Sequence, residues 1–285
     1  MQSGIYYHIK INKMKKQFMK IGFIPVLVCC LLTACTSSKP KEEQKTDPCT
    51  RNEQLSGGTT FTNNSGGNVP LAGSAYGYEM WTESGNNNLL TWYGPEQGGG
   101  AAFRTEWNEP NVFLGRVGYF WNEGKPYTDY KNVYCDFNFT RSDEGTGGAC
   151  SYIGIYGWST DPMIEWYIVE DWFGTGIIGP SIMGNDATKK GEFTADGATY
   201  FIYESIRPAG SGNIEDSNNP FPQYFSIRQT RRQCGTISVT EHFKEWEKTG
   251  MKLGKNMYEA KFLVEAGGGT GLFDASYISF YMEDK

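Results

Sequence analysis

The sequence predicts an all-β domain carrying one helix. From about Val69 the chain consists of short runs rich in Tyr, Trp, Phe, Ile and Val, separated by Gly, Asn and Asp. Short strands with turn signals between them point to a sandwich or barrel. One segment alone departs from that pattern towards helical spacing. The roughly 215 residues from Leu71 to Lys285 also fit one domain.

The chain has 285 residues. Its first 34 read as a targeting segment. Lys10, Lys13, Lys15, Lys16 and Lys20 precede the apolar run IGFIPVLVCCLL, which is too short and wrongly flanked for a spanning helix. MKKQFMKIGFIP is a complete signal opening by itself, so Met14 is a second candidate start. LTAC resembles a bacterial lipobox, which would make Cys35 a lipidated mature N-terminus; plain secretion with cleavage nearby is the alternative. Residues 35–68, polar and rich in Gly, Ser and Asn, read as a flexible tether. Residues 69–285 then form the folded domain. Loss of residues 1–34 takes five lysines from the 26 basic residues. The remaining 21 face 32 acidic ones, a formal charge of −11. Such a surface disfavours nucleic acid and leaves a neutral polymer open as ligand.

Within the domain, strands are expected in NVFLGRVGYFW, NVYCDFNFTR, CSYIGIYGWS, IEWYIVEDW, TYFIYESIR, PQYFSIRQTRR, GTISVT, YEAKFLVEA and DASYISFYM. Residues 241–254, EHFKEWEKTGMKLG, space Phe243, Trp246 and Met251 as a helix would, with Gly250 at its end. Cys29 and Cys30 lie in the signal and Cys35 at the lipobox. Cys49, Cys135, Cys150 and Cys234 remain, allowing three pairings. Cys135 and Cys150 flank the hairpin signal RSDEGTGG and are the favoured disulfide, with Cys49–Cys234 left by elimination. No CxxC or His-rich pattern suggests a metal. Past the signal only His242 remains, a packed or solvated helix residue, which argues against Ser-His-Asp or Cys-His chemistry.

Carboxylates are the other chemistry available. In DPMIEWYIVEDW (Asp161–Trp172), alternation puts Ile164, Trp166 and Ile168 on one face and Glu165, Tyr167 and Val169 on the other. In YEAKFLVEAGGGTG (Tyr258–Gly271), Lys261, Leu263 and Glu265 share a face. Two strand-borne carboxylates facing each other would suit glycoside hydrolysis, in which one donates a proton and the other attacks the sugar.

Long motifs in fixed order carry a resemblance. YIGIYGWSTDPMIEWYIVEDW, GATYFIYESIR, PFPQYFSIRQTRRQCGTISVTEHFKEWEKTGMKLG and FLVEAGGGTG resemble the family 11 glycoside hydrolases, the β-jelly-roll endo-1,4-β-xylanases, over about Tyr76 to Tyr281. The resemblance implies two twisted antiparallel sheets, one α-helix and a concave substrate cleft. It implies Glu165 as nucleophile and Glu265 as acid/base, its pKa raised by burial and by the charge of Glu165. Tyr156 and Gln223 would be the donors that keep Glu165 ionised, on a face open to solvent. Trp81 would be a sugar platform and Tyr167 a cleft tyrosine. Asn111 would sit beside the acid/base and imply a near-neutral optimum. Arg207 would stand at the base of a hairpin, the thumb, spanning about Pro208 to Pro222 with Ile214 at its tip.

Three positions depart from the family pattern. Gly212-Asn213-Ile214 replaces Pro-Ser-Ile at the thumb tip. Ala266-Gly267-Gly268, without an aromatic residue, follows Glu265. Glu259 occupies the place of a cleft tyrosine, with Tyr258 one step away and, by strict alternation, facing away from the cleft unless a bulge restores it. The expected protein is a monomer needing no cofactor. Its partner is xylan or xylo-oligosaccharide, and it is exported and held to the envelope by lipid at Cys35, or secreted. A non-catalytic carbohydrate-binding sandwich and a hydrolase of another β-glucan are the alternatives.

Overall fold

Alternating aromatic and β-branched runs become strands almost throughout the computed structural model, which describes residues 45–62, 69–70, 75–121, 123–143, 151–174 and 187–284. The first strands are β1 (Thr59–Thr62), β2 (Val69–Pro70), β3 (Tyr76–Glu83), β4 (Leu89–Trp92), β5 (Phe103–Asn108) and β6 (Val112–Phe120). Then come β7 (Asn132–Asp143), β8 (Ser151–Thr160), β9 (Ile164–Asp171), β10 (Thr188–Ala195), β11 (Ala198–Arg207), β12 (Phe221–Arg228) and β13 (Cys234–Ile237). Helix α1 (Val239–Lys248) precedes β14 (Asn256–Ala266) and β15 (Thr270–Glu283). No helix among the described residues is long and apolar enough to cross a membrane.

Two sheets result. One has the order β1-β4-β5-β15-β7-β13, the other β10-β11-β12-β9-β8-β14-β6-β3-β2. β12 and β9 pair in parallel and the other neighbours antiparallel. Between the sheets pack Ile153, Ile155, Ile164, Trp166, Ile168, Phe262 and Val264 from the larger sheet. They meet Phe103, Phe137, Phe139, Phe273 and Ile278 from the smaller. Burial of each such side chain contributes roughly 1.5–3 kcal/mol, more than an exposed ion pair, so this core dominates stability. Gly157 on β8 leaves room for it, since a Cβ there would lie 2.0 Å from the Trp166 indole.

The opposite side of the larger sheet, its outer face, carries a second cluster that includes Tyr152, Tyr156, Trp158, Tyr167, Val169, Phe225 and Leu263. β9 is therefore buried on both faces. Alternation breaks once in β14, where a register shift against β8 falls between Met257 and Glu259. That bulge turns Tyr258 to pack against the outer cluster.

The helix forms two residues earlier than the spacing indicates and ends at Lys248. Gly250, at φ 88°, and the bond from Met251 N–H to Trp246 O close its C-terminus. Phe243 and Trp246 are buried as expected, and so is Met251 just beyond the helix.

Two expectations need correction. The Cys135–Cys150 disulfide does not form: Cys135 is a free, buried thiol, and Cys150 lies outside the described residues. The hairpin signal misleads because β7 and β8 belong to different sheets, and Cys135 pairs in register with Ile237 and Phe280 instead. Cys49–Cys234 is the disulfide present. That bond also corrects the tether over 35–68, because its described part is docked. β1 pairs with β4, Ser276 donates to Arg51 O at 2.6 Å, and Gln97 donates to Ser56 O. Residues 1–34 and Cys35 lie outside the described residues.

Candidate active site

Glu165 is placed by three adjacent strands. Its register partners are Trp158 on β8 and Gln223 on β12. Parallel pairing sets Gln223 directly beside it, and Nε2 of Gln223 donates to Glu165 Oε2 at 2.5 Å. On the other carboxylate oxygen, the Tyr156 hydroxyl donates at 2.7 Å and the Tyr167 hydroxyl at 3.0 Å. Tyr156 in turn accepts from Trp158 Nε1 at 2.5 Å. Trp158 is a contributor that the sequence reading missed.

The carboxylate is not on an open face, as expected from sequence, since Glu165 is only 7% exposed. Three donors rather than solvent make its burial tolerable. Burial is the largest influence on it and raises its pKa. The bonds from Tyr156, Gln223 and Tyr167, and the charge of Arg207, pull the other way without cancelling that rise.

Glu265 lies on β14, across β8 from Glu165, in register with Tyr152 and with Leu114 of β6. It is 8% exposed. Tyr167 joins the two carboxylates electrostatically. Its phenol is pushed far up, first by burial, then by the charges of Glu165 and Glu265. Tyr152 stands 5.6 Å from the Tyr167 ring.

The remaining expected residues fall around this pair. Trp81 on β3 is 47% exposed, with its neighbour Met80 in the inter-sheet core, so the indole lies on the outer side. Asn111 is exposed at the turn before β6, its N–H shared between Glu83 O and Ser84 Oγ. Arg207 ends β11, exposed but close enough for its charge to reach Glu165. Ile214 is half-buried and packs against the outer cluster from the loop between β11 and β12. In that loop Asn213 donates to Ser211 O and Ser217 O and accepts from the N–H groups of Glu215 and Ser217. Among the described residues no group of three or more His, Cys, Asp or Glu is arranged to hold a metal ion.

A two-sheet jelly roll with two buried glutamates and an exposed tryptophan on the outer face of its larger sheet has the build of a glycoside hydrolase. The chain belongs to the glycosyl hydrolases family 11, whose profile matches residues 73–276. It is 39% identical over 282 residues to endo-1,4-beta-xylanase C of Fibrobacter succinogenes, covering 95% of this chain and 43% of that protein. An endo-1,4-beta-xylanase of Neocallimastix patriciarum is 41% identical over 80% of this chain and 64% of its own length. The chain thus spans less than two thirds of either relative. The crystal structure of wild-type ENZbleach xylanase superposes with a TM-score of 0.78 at 55% identity, covering 86% of this chain and 95% of that one.

Proposed function

We propose that the domain is an endo-1,4-β-xylanase that cleaves internal xylosidic bonds of xylan with retention of configuration. The observation that carries this is Glu165, desolvated on a central strand yet aimed at by three hydrogen-bond donors, with Glu265 two strands away, across β8, on the same face. Ionised Glu165 attacks the anomeric carbon while Glu265 gives its proton to the departing oxygen, and a glycosyl ester forms. Esterification removes the charge of Glu165, and Glu265, left ionised by the first step, now acts as the base that takes a proton from water. That water breaks the ester and restores both groups. The exposed Trp81 indole offers a platform for a sugar ring, and Ile214 closes the site from the thumb. Xylose lacks the exocyclic hydroxymethyl of glucose, so a narrow cleft admits xylan and excludes cellulose. The reaction needs no cofactor, and a monomer suffices.

Reducing ends released from linear xylan, cellulose and mixed-linkage glucan test the reading, beside a Glu165→Gln control. Release from xylan alone is expected, falling by roughly three orders of magnitude or more in the control. Product that first appears as the β-anomer supports retention. Binding without hydrolysis would favour a carbohydrate-binding module, and release from cellulose a different β-glucanase. Export, with lipid at Cys35 as anchor, belongs to the same proposal. A Cys35→Ala variant should then appear in the medium instead of the membrane fraction.

A further inference from the structure

Four charged side chains lie together beside the pair, and the chemistry above uses none of them. Arg116 on β6 donates through Nε to Glu79 Oε2 at 2.9 Å and through Nη2 to the same oxygen. Its Nη1 stands 3.4 Å from Glu259 Oε1, and Lys261 Nζ stands 2.9 Å from Glu259 Oε2. Arg116 is 5% exposed, and Glu259 and Lys261 are fully buried. Two cations against two carboxylates keep the group neutral, which makes its burial tolerable. The guanidinium is thus held from two sides, by Glu79 and by Glu259. Its carbon lies 4.1 Å from the centroid of the Tyr156 ring. Tyr156 is the phenol that donates to Glu165.

We propose that Arg116 is a positioning residue for the nucleophile, acting through Tyr156: its locked guanidinium fixes the ring and strengthens the hydrogen bond that the phenol donates to Glu165. This rests on the reading of Glu165 as nucleophile. A cation over an aromatic face is attracted to the ring and draws electron density from it. The phenol O–H then becomes a better donor to a carboxylate. The other groups facing Glu165 are Trp158, through Tyr156, on β8, Tyr167 on its own strand, Gln223 on β12, Arg207 on β11 and Glu265 on β14. Weakening the Tyr156 bond makes Glu165 hold its proton to higher pH.

The test is the pH profile of kcat/KM on xylan for the wild type, Arg116→Met and Arg116→Lys. Because Arg116→Met leaves two carboxylates, one of them buried, facing the single cation Lys261, the charge-balanced double variant Arg116→Met, Glu259→Gln is measured beside it. The acidic limb should move up by about half a unit to one unit in both Met variants, a roughly three- to tenfold loss on the acidic limb, with little loss at the optimum and little change in KM. Arg116→Lys, which keeps the charge without the planar stack, should fall between. A profile of unchanged shape, with a uniform loss that follows Tm, would overturn the inference while leaving the site intact. Wild-type activity that survives Glu165→Gln would overturn the reading of the site, and the inference with it.

Discussion

Glu165 is a carboxylate held where water scarcely reaches it, and that has a thermodynamic signature. Its folded pKa is raised above the unfolded value, by burial first. A raised folded pKa stabilises the fold below the unfolded value, and that contribution is lost as pH rises through the folded one. At neutral pH, above the unfolded value, the group therefore costs stability. Glu165→Gln should melt higher than wild type at pH 7, by about 2–4 °C for each kcal/mol regained, and the gain should shrink towards pH 4. Calorimetry at the two pH values checks this, and an equal or lower Tm at pH 7 would contradict it. Period-two alternation was enough to put Glu165, Tyr167 and Val169 opposite Ile164, Trp166 and Ile168. It could not foretell that the same face is covered. That depends on Tyr152, Tyr156, Trp158 and Phe225 from other strands. Tyr258 shows the complementary limit, because a bulge is one extra residue in a strand and leaves no mark on composition.

Secondary elements bring their own consequences. α1 buries His242 among the rings of Phe193, Tyr200 and Trp246, with no hydrogen bond to either ring nitrogen. Burial, then the charges of Arg232 and Arg228, lower its pKa from 6.5 to about 3. A depressed folded value gives stability that is complete above the unfolded pKa and drains away as pH falls from about 6.5 towards 3, on the order of a few kcal/mol. His242→Phe should therefore flatten the fall of Tm between pH 7 and pH 4.5; an unchanged slope counts against it. The loop between β11 and β12, the thumb of the proposed reading, is pinned by the four bonds of Asn213. Asn213→Ala should raise KM for xylan roughly threefold or more while moving Tm little, since the loop adds few core contacts. Local signals read the helix well, because Phe243 and Trp246 repeat at its period. They failed at Cys135, where a turn-like segment joins strands of two sheets and only the global topology decides.

At the scale of the molecule, the Cys49–Cys234 bond closes a loop across a sequence separation of 185 residues. Cross-links over long loops remove much unfolded-chain freedom, typically about 2–4 kcal/mol. The double variant Cys49→Ala, Cys234→Ala should melt roughly 5–15 °C lower, as thermal unfolding would show. Composition made residues 45–62 look unstructured because their anchors are single side chains distant in sequence: Cys234, Gln97 and Ser276. The docking of this segment also settles a question of access. Cys49 is fastened beside β13 and β1 lies against β4, both edge positions of the six-stranded sheet, whereas Glu165 and Trp81 belong to the far side of the other sheet. Whatever pulls on the chain at Lys45 pulls from the back of the molecule. On the proposed reading a polysaccharide runs along the sheet opposite the one that holds residues 45–62, like a cable passing a hand that is held by the wrist.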